Sequence, residues 1–258
     1  MSIASYLPFT VIAGCVATIV TAVIGISGAA KRSNWNESRR TQTVQVAAAV
    51  LVGWFVLAVA LALLGVYSGA SGKIPTIQFG IAVPILLGCL LIWRWPAVSR
   101  LIDAVPRHWV IAIQVYRVEG VTFLVLYATH SLPGLFALPA GVGDVLVGLA
   151  AAAIGIGATG GKPLRTRTVL RWNLLGITDL LVAVTTVFLT APSAFQMFAF
   201  DRPNELISVF PLVLIPTFLV PLSILLHIIS LIQLGRATGR GRYRNFGSLK
   251  QIWERALA

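Results

Sequence analysis

Seven long apolar segments separated by short polar loops dominate the sequence. A helix needs about 20 apolar residues to cross the hydrocarbon core of a bilayer. Segments of this length lie at about 6–30, 44–69, 74–93, 109–132, 133–158, 172–190 and 207–234. Only helices and closed barrels satisfy every backbone polar group in lipid. The sequence therefore predicts an all-α, polytopic membrane bundle of seven transmembrane helices.

The composition excludes a soluble globular protein. Only 11% of the 258 residues are charged and 57% are hydrophobic, whereas soluble domains carry about 25% charged residues. Such a chain cannot cover a globule of this size with a solvated surface. Its two cysteines, Cys15 and Cys89, lie inside apolar segments, which argues against a disulfide scaffold or a zinc cluster.

The basic residues are distributed unevenly between the two sides of the predicted bundle. Most of the 20 Lys and Arg residues fall in the loops after spans one, three and five and in the C-terminal tail, whereas the loops on the other side carry Lys73 and Arg202. Basic residues concentrate in cytoplasmic loops, so we expect the N-terminus outside and the C-terminus inside. The net charge of +12 is thus explained by a membrane and not by a nucleic acid.

Two regions are expected, a transmembrane domain at 1–234 and a basic cytoplasmic tail at 235–258. Apolar residues at helical spacing in the tail predict a short amphipathic helix that binds anionic lipid headgroups. A flexible solvated tail is the alternative. The apolar positions are Leu249, Ile252, Trp253 and Leu257.

Four charged residues fall within the spans, namely Arg117, Glu119, Asp144 and Asp179, together with His227. Charges at membrane depth are costly and normally face a protein interior or a water-filled cavity. With a rise of 1.5 Å per residue, the five lie in one layer, and Arg117 and Asp179 are within about 1 Å of the same depth. We therefore expect Arg117 to contact Asp144, Asp179 or Glu119, with Asp179 preferred.

Polar and aromatic residues also form a stripe along the fourth span. With α-helical geometry, its spacings of 3, 4, 4 and 3 place the residues on one face. This face is expected to line a pathway. The alternative is a buried face whose polar groups bind neighbouring helices. Arg117, two residues from Glu119, should point to a different side. The stripe comprises Tyr116, Glu119, Phe123, Tyr127 and His130.

Spans five and six share a short internal similarity between residues 141–148 and 176–183. In both, small residues lie three before and four after the aspartate, and small residues let helices approach closely in a bilayer. Each aspartate is thus expected in a tight helix contact, with Asn173 on the same face as Asp179. A chance match between Gly- and Val-rich helices is the alternative.

The layer, if fully ionised, holds three negative charges, one positive charge and a histidine. Excess negative charge in a low dielectric favours uptake of a proton or binding of a cation. The leading hypothesis is a small-solute transporter or permease coupled to protons or a cation. Alternatives are a membrane-embedded enzyme using Asp144 and Asp179, or a structural subunit or sensor in a homo-oligomer or membrane complex.

The run Gly141-Val142-Gly143-Asp144 resembles the Gly-x-Gly-Asp signature of intramembrane aspartyl proteases of the presenilin and prepilin-peptidase type. The resemblance implies two transmembrane aspartates that share a proton around an activated water, with Asp179 as the partner. In those families the partner aspartate precedes the signature helix, whereas Asp179 follows it here.

The sequence leaves the cofactor and the metal unassigned. Asp144, Asp179, Glu119 and His227 offer ligands that suit Zn, Mn or Fe, but no close ligand pair marks a site. A retinal Schiff base is excluded because every lysine lies outside the spans.

The whole chain loosely resembles uncharacterised bacterial multi-pass membrane proteins, which implies location in the bacterial inner (plasma) membrane but no activity. Pro139 in the fifth span and Pro211, Pro216 and Pro221 in the last span are expected to kink or break their helices. The stretches that carry the resemblance are 114–117, 138–144, 172–176 and the proline-rich last span near His227.

Overall fold

The computed structural model describes residues 6–238, and this part of the chain contains helices and no strands. Seven of its helices are long and apolar enough to cross a membrane, as the hydropathy predicts. The α-helices are α1 (Leu7–Arg32), α2 (Glu37–Leu63), α3 (Ile77–Arg94), α4 (Pro96–Ala104), α5 (Arg107–Ala112), α6 (Val121–Ala128), α7 (Gly134–Thr159), α8 (Thr166–Thr190) and α9 (Val220–Ala237).

The second span lies closer to the N-terminus than its hydropathy predicts. Helix α2 begins at Glu37 because the side chain of Asn36 accepts a hydrogen bond of 2.9 Å from the backbone N–H of Arg39, as an N-cap does. It ends at Leu63, before Gly65, whose φ of 69° belongs to a turn. The apolar residues that follow form a loop, so the expected end near residue 69 was wrong.

The fourth span, Arg107–Ala128, is not a continuous α-helix. A 3-10 helix at Ile113–Gly120 joins α5 to α6, and in such a helix residues three apart lie on the same side. Its buried residues include Gln114, Arg117 and Gly120. The buried face therefore follows a spacing of three. Tyr116 and Glu119, which are also three residues apart, share a second face in this form, as the predicted stripe requires.

The last span is interrupted near its start, as its prolines predict. Residues 209–214 are mainly turns, a π-helix occupies Ile215–Leu219, and α9 follows. Proline lacks the backbone N–H that an α-helix needs, and Pro216 lies within the π-helix. By contrast, α7 runs unbroken through Pro139, so the expected break there does not occur.

Helix α7 packs closely on the fourth span because it presents glycines there. A Cβ atom at Gly148 would lie 2.8 Å from the backbone nitrogen of Val118, and one at Gly141 would lie 3.0 Å from the carbonyl oxygen of Gly120. Contacts this short leave no room for a larger residue. The tight helix contact expected beside Asp144 is confirmed.

The short helix α4 lies at the end of the bundle that carries most of the basic loops, called here the basic end. Nε2 of Gln233 on α9 donates hydrogen bonds to the carbonyls of Ile102 (2.6 Å) and Val105 (2.8 Å). Arg236 forms an ion pair with Asp103. The predicted amphipathic helix of the tail lies outside the described residues.

Candidate functional site

Arg117 lies at the centre of the bundle, where two helices supply its carboxylate partners. Its side chain is only 2% exposed. Nε donates to Oδ1 of Asp144 on α7 over 2.7 Å, and Nη2 donates to Oδ2 of Asp179 on α8. The predicted contact is confirmed, with two aspartates bound instead of one. Charge-assisted hydrogen bonds of this kind are short and strong.

The remaining terminal nitrogen of Arg117 binds α8 and α9. Nη1 lies 3.2 Å from Nε2 of His227 and 3.5 Å from the carbonyl oxygen of Gly176. A guanidinium only donates hydrogen bonds, so Nε2 of His227 must accept and carries no proton. The fully buried imidazole is therefore neutral, with its proton on Nδ1.

Asn173 completes this assignment on the far side of the imidazole. Nδ1 of His227 donates to Oδ1 of Asn173 over 2.9 Å. Nδ2 of the same amide donates to the carbonyl of Val169 (2.8 Å) and to Oγ of Ser230 (2.9 Å). From Asp144 to Ser230, every hydrogen bond thus joins one donor to one acceptor. This chain of hydrogen bonds connects the fourth span with α7, α8 and α9.

Glycines on facing helices make room for the charged groups. A Cβ atom at Gly143 would overlap the carboxyl group of Asp179, and one at Gly120 would overlap the side chain of Asp144. A Cβ at Gly176 would meet the imidazole of His227 and would lie 3.1 Å from Nη1 of Arg117. The glycines of the Gly-x-Gly-Asp run thus have a packing role, and Gly143 in particular accommodates Asp179.

Glu119 points away from this network, as its spacing from Arg117 predicts. Its carboxyl group lies against Gly14 of α1, where a Cβ atom would overlap it. Among residues 6–238 it forms no ion pair. It is therefore the one acid of the predicted layer that Arg117 does not bind.

A small cavity of about 20 Å³ connects Glu119 with the network. Such a volume accommodates about one water molecule. The hydroxyl groups of Tyr116 and Ser223 lie 2.6 Å apart beside it. The cavity is lined by Tyr116, Arg117, Glu119, Gly120, Phe123, Asp144, Leu180, Ile215, Leu219, Val220 and Ser223.

Two predicted site residues lie apart from this layer. Tyr127 is 39% exposed near the end of α6, and His130 lies beyond that helix with a φ of 56°. Nδ1 of His130 is 3.3 Å from Nη1 of Arg202, in the loop between α8 and the last span. The other predicted residues, Tyr116, Arg117, Glu119, Asp144, Asn173, Asp179 and His227, lie in or directly beside the network and cavity.

Three polar residues of the site were not predicted from the sequence. Ser223 and Ser230 lie four residues before and three residues after His227, a spacing that indicates one face of α9. Gln114 lies three residues before Arg117 and is fully buried. Neither of its amide atoms has a hydrogen-bond partner within the described part of the chain, and buried polar atoms without partners are rare.

The four side chains that offer metal-ligand atoms, those of Glu119, Asp144, Asp179 and His227, do not assemble into a metal site among the described residues. Within residues 6–238, no three His, Cys, Asp or Glu side chains are grouped closely enough to hold a metal ion. Asp144, Asp179 and His227 each direct an acceptor atom at Arg117 instead, and a guanidinium cannot ligate a metal.

Residues 74–235 match the model of DUF8737, a domain family of unknown function. The chain belongs to this family. The matched residues include the whole Arg117 network, whereas Gly14, which faces Glu119, lies outside the match. No curated protein and no solved structure matches the chain.

Proposed function

We propose that this member of DUF8737 is a transporter or permease for a small solute, coupled to protons or to a cation. In this proposal the layer around Arg117 is the coupling site and Glu119 is the group that takes up the proton or cation. The protein lies in the bacterial inner membrane with its basic end in the cytoplasm. Fusion of alkaline phosphatase after Gly161 tests this orientation, since high periplasmic activity there would contradict it.

The position of Glu119 carries the proposal. Arg117 supplies one positive charge to two aspartates, so the layer with both aspartates ionised has a net charge of −1 when Glu119 is neutral and −2 when it is ionised. Glu119 has no ion-pair partner among residues 6–238, and it lines the same cavity as Asp144. Proton or cation uptake at Glu119 therefore removes unpaired charge from a low-dielectric region.

Gln114 gives independent support for a pathway through the layer. The spacing of three in a 3-10 helix places it on the same face as Arg117, one turn closer to the basic end. An unpaired amide in a buried position costs about 1–3 kcal/mol. A polar group at this position, lined up with the network, suits a solute or proton path that opens in another conformation.

The aspartyl enzyme is the weaker alternative. In aspartyl enzymes, two neighbouring carboxylates share a proton because like charges so close together cannot both ionise. Here Asp144 and Asp179 each direct a carboxylate oxygen at the guanidinium of Arg117, so a fixed cation offsets the repulsion between them. Proton sharing between the two aspartates is therefore not required.

Proton uptake at Glu119 can be tested without knowing the solute. We expect the infrared spectrum of the reconstituted protein to show a protonated-carboxyl C=O band that grows as the pH falls and disappears in Glu119→Gln. Glu37→Gln, which changes an exposed acid at the start of α2, should keep the band. A band that persists in Glu119→Gln would assign the proton to another group and contradict the proposal.

Transport itself is measured as current across solid-supported membranes carrying proteoliposomes. Under a pH gradient, we expect a current with at least one class among amino acids, sugars, carboxylates and alkali cations. Glu119→Gln and Asp144→Asn should abolish uphill accumulation and retain exchange. The absence of a current with every solute class would contradict transport. Equal accumulation by wild type and variants would show that the two carboxylates have a structural role only.

A further inference from the structure

A recess of about 530 Å³ opens at the basic end, away from the Arg117 layer. This volume is within the range of about 300–1,000 Å³ that is typical of ligand pockets. Three elements contribute to it, namely the end of α1, the start of α2 and the short helix α4. Its lining consists of Arg32, Ser33, Asn34, Trp35, Arg39, Arg100, Asp103 and Ala104.

The recess has an excess of positive charge. Arg32, Arg39 and Arg100 come from three different elements, and none of them forms an ion pair within residues 6–238. The single acid in the lining, Asp103, is bound to Arg236. Three guanidinium groups around one recess repel one another, and an anion between them would relieve this repulsion.

The ring of Trp35 contacts the guanidinium groups of two of the three arginines. Trp35 as a whole is 8% exposed, and the guanidinium carbons of Arg39 and Arg100 lie 5.1 and 5.8 Å from the centroid of its ring. Distances below about 6 Å are typical of cation–π contacts. The recess also lies at the N-terminus of α2, where the helix dipole favours negative charge. The arginines are thus held ready for an anion before it binds.

We propose that this recess binds the phosphate group of an anionic membrane lipid. Guanidinium groups match phosphate geometry and bind it through paired hydrogen bonds. The recess is at headgroup level, because it lies where α1 ends and α2 begins, between two membrane spans. This site differs in its residues from the basic tail, and it does not depend on the transport proposal.

Helix α2 offers a path for the acyl chains. Val46 and Val50 are 7 and 11 residues beyond Arg39, which places all three on one face of the helix. Both valines are exposed. A lipid with its phosphate at Arg39 can therefore lay its chains along an apolar surface of α2, whereas a free phosphate would gain nothing from that surface.

Native mass spectrometry of the delipidated full chain in detergent tests the proposal. Three arms are compared, namely phosphatidylglycerol, phosphatidylcholine and inorganic phosphate. The test variant is Arg32→Gln/Arg39→Gln/Arg100→Gln. The control, Arg165→Gln/Arg167→Gln/Arg171→Gln, removes the same charge from exposed positions at the same end.

We expect wild type to bind phosphatidylglycerol in preference to phosphatidylcholine. At about 1 kcal/mol per basic residue, which is about fivefold in affinity, the test variant should lose about a hundredfold and the control less than about threefold. Equal losses of affinity in both variants would show that lipid binding depends only on the overall charge of the protein, and would overturn the proposal. Inorganic phosphate that competes at equal concentration would overturn the assignment to a lipid.

The single variant Trp35→Leu provides a second measurement in case the triple variant fails to fold. It changes no charge and removes the ring beneath Arg39 and Arg100. We expect a loss of about threefold to tenfold in phosphatidylglycerol affinity, consistent with the strength of a cation–π contact. Unchanged affinity in a folded Trp35→Leu protein counts against the recess as the site.

Discussion

Nη1 of Arg117 donates a hydrogen bond to Nε2 of His227 over 3.2 Å, so a permanently charged side chain sets the protonation of a buried imidazole. His227 cannot accept a proton on Nε2 while this bond is present. Protonation of His227 therefore requires Arg117 to move away. Any conformational change that frees Arg117 also frees the histidine, and the two groups form one unit.

The tautomer of His227 is directly testable by nitrogen NMR of histidine-labelled protein. We expect Nδ1 at a protonated shift and Nε2 at an unprotonated shift, because Nε2 accepts from Arg117 and Nδ1 donates to Asn173. The spectrum of His227→Gln assigns the signals. An Nε2–H signal from His227 would contradict the assignment.

Arg117→Ala should strongly destabilise the protein. It leaves two buried carboxylates without a cation, and breaking a buried pair in this way typically costs about 3–5 kcal/mol. The free energy of unfolding in mixed micelles measures the loss. Adding Asp179→Asn should make the loss smaller, because one of the unpaired charges is then removed. Arg167→Ala, at an exposed position, should change stability by less than about 0.5 kcal/mol.

Gly176→Ala should destabilise the protein through steric conflict with His227 and Arg117. Overpacking of this kind typically costs about 1–3 kcal/mol, and it should also shift the nitrogen signals of His227. Gly53→Ala is the matched control, since a Cβ there meets no atom within 4 Å. Equal stability of the two variants would show that α8 and α9 can separate without cost.

Gln114→Leu separates a packing role from a pathway role. Leucine has a similar volume and leaves no unpaired amide, so the free energy of unfolding should rise by about 1–3 kcal/mol. We expect solute accumulation to fall at the same time, because the polar group on the Arg117 face is lost. A variant that is more stable and transports normally would remove Gln114 from the pathway.

The attachment of α4 should depend on Gln233 more than on the ion pair beside it. Gln233→Leu leaves the carbonyls of Ile102 and Val105 without their donor, which should cost about 1–3 kcal/mol. Asp103→Asn breaks a partly exposed pair, which is worth less than about 1 kcal/mol. Thermal unfolding in detergent compares the two, and the reverse order would contradict this account.

The number of spans could be predicted because the bilayer imposes one length on every apolar helix. The Arg117 contacts could be predicted for a related reason, since a charge at membrane depth must find a partner inside the bundle. Depth alone placed Asp144, Asp179 and Glu119 in the same layer as Arg117 and favoured Asp179. Neither argument requires knowledge of which helices are neighbours.

The remaining features depend on packing between helices that are distant in sequence. The 3-10 winding of Ile113–Gly120 accompanies close contact with glycines of α7, and it buries Gln114, Arg117 and Gly120 at a regular spacing of three. The tautomer of His227 depends on Asn173, a residue of another helix. Residue spacing within one segment contains no information about either relationship.

The 3-10 form of Ile113–Gly120 determines both the length of this part of the fourth span and the direction in which Arg117 points. Eight residues rise about 16 Å in this form and about 12 Å as an α-helix, and the two forms differ by about 160° in rotation over that length. Rewinding would carry Arg117 away from Asp144, Asp179 and His227. In the 3-10 form Arg117 reaches all three partners, so these contacts favour the present pitch of the fourth span.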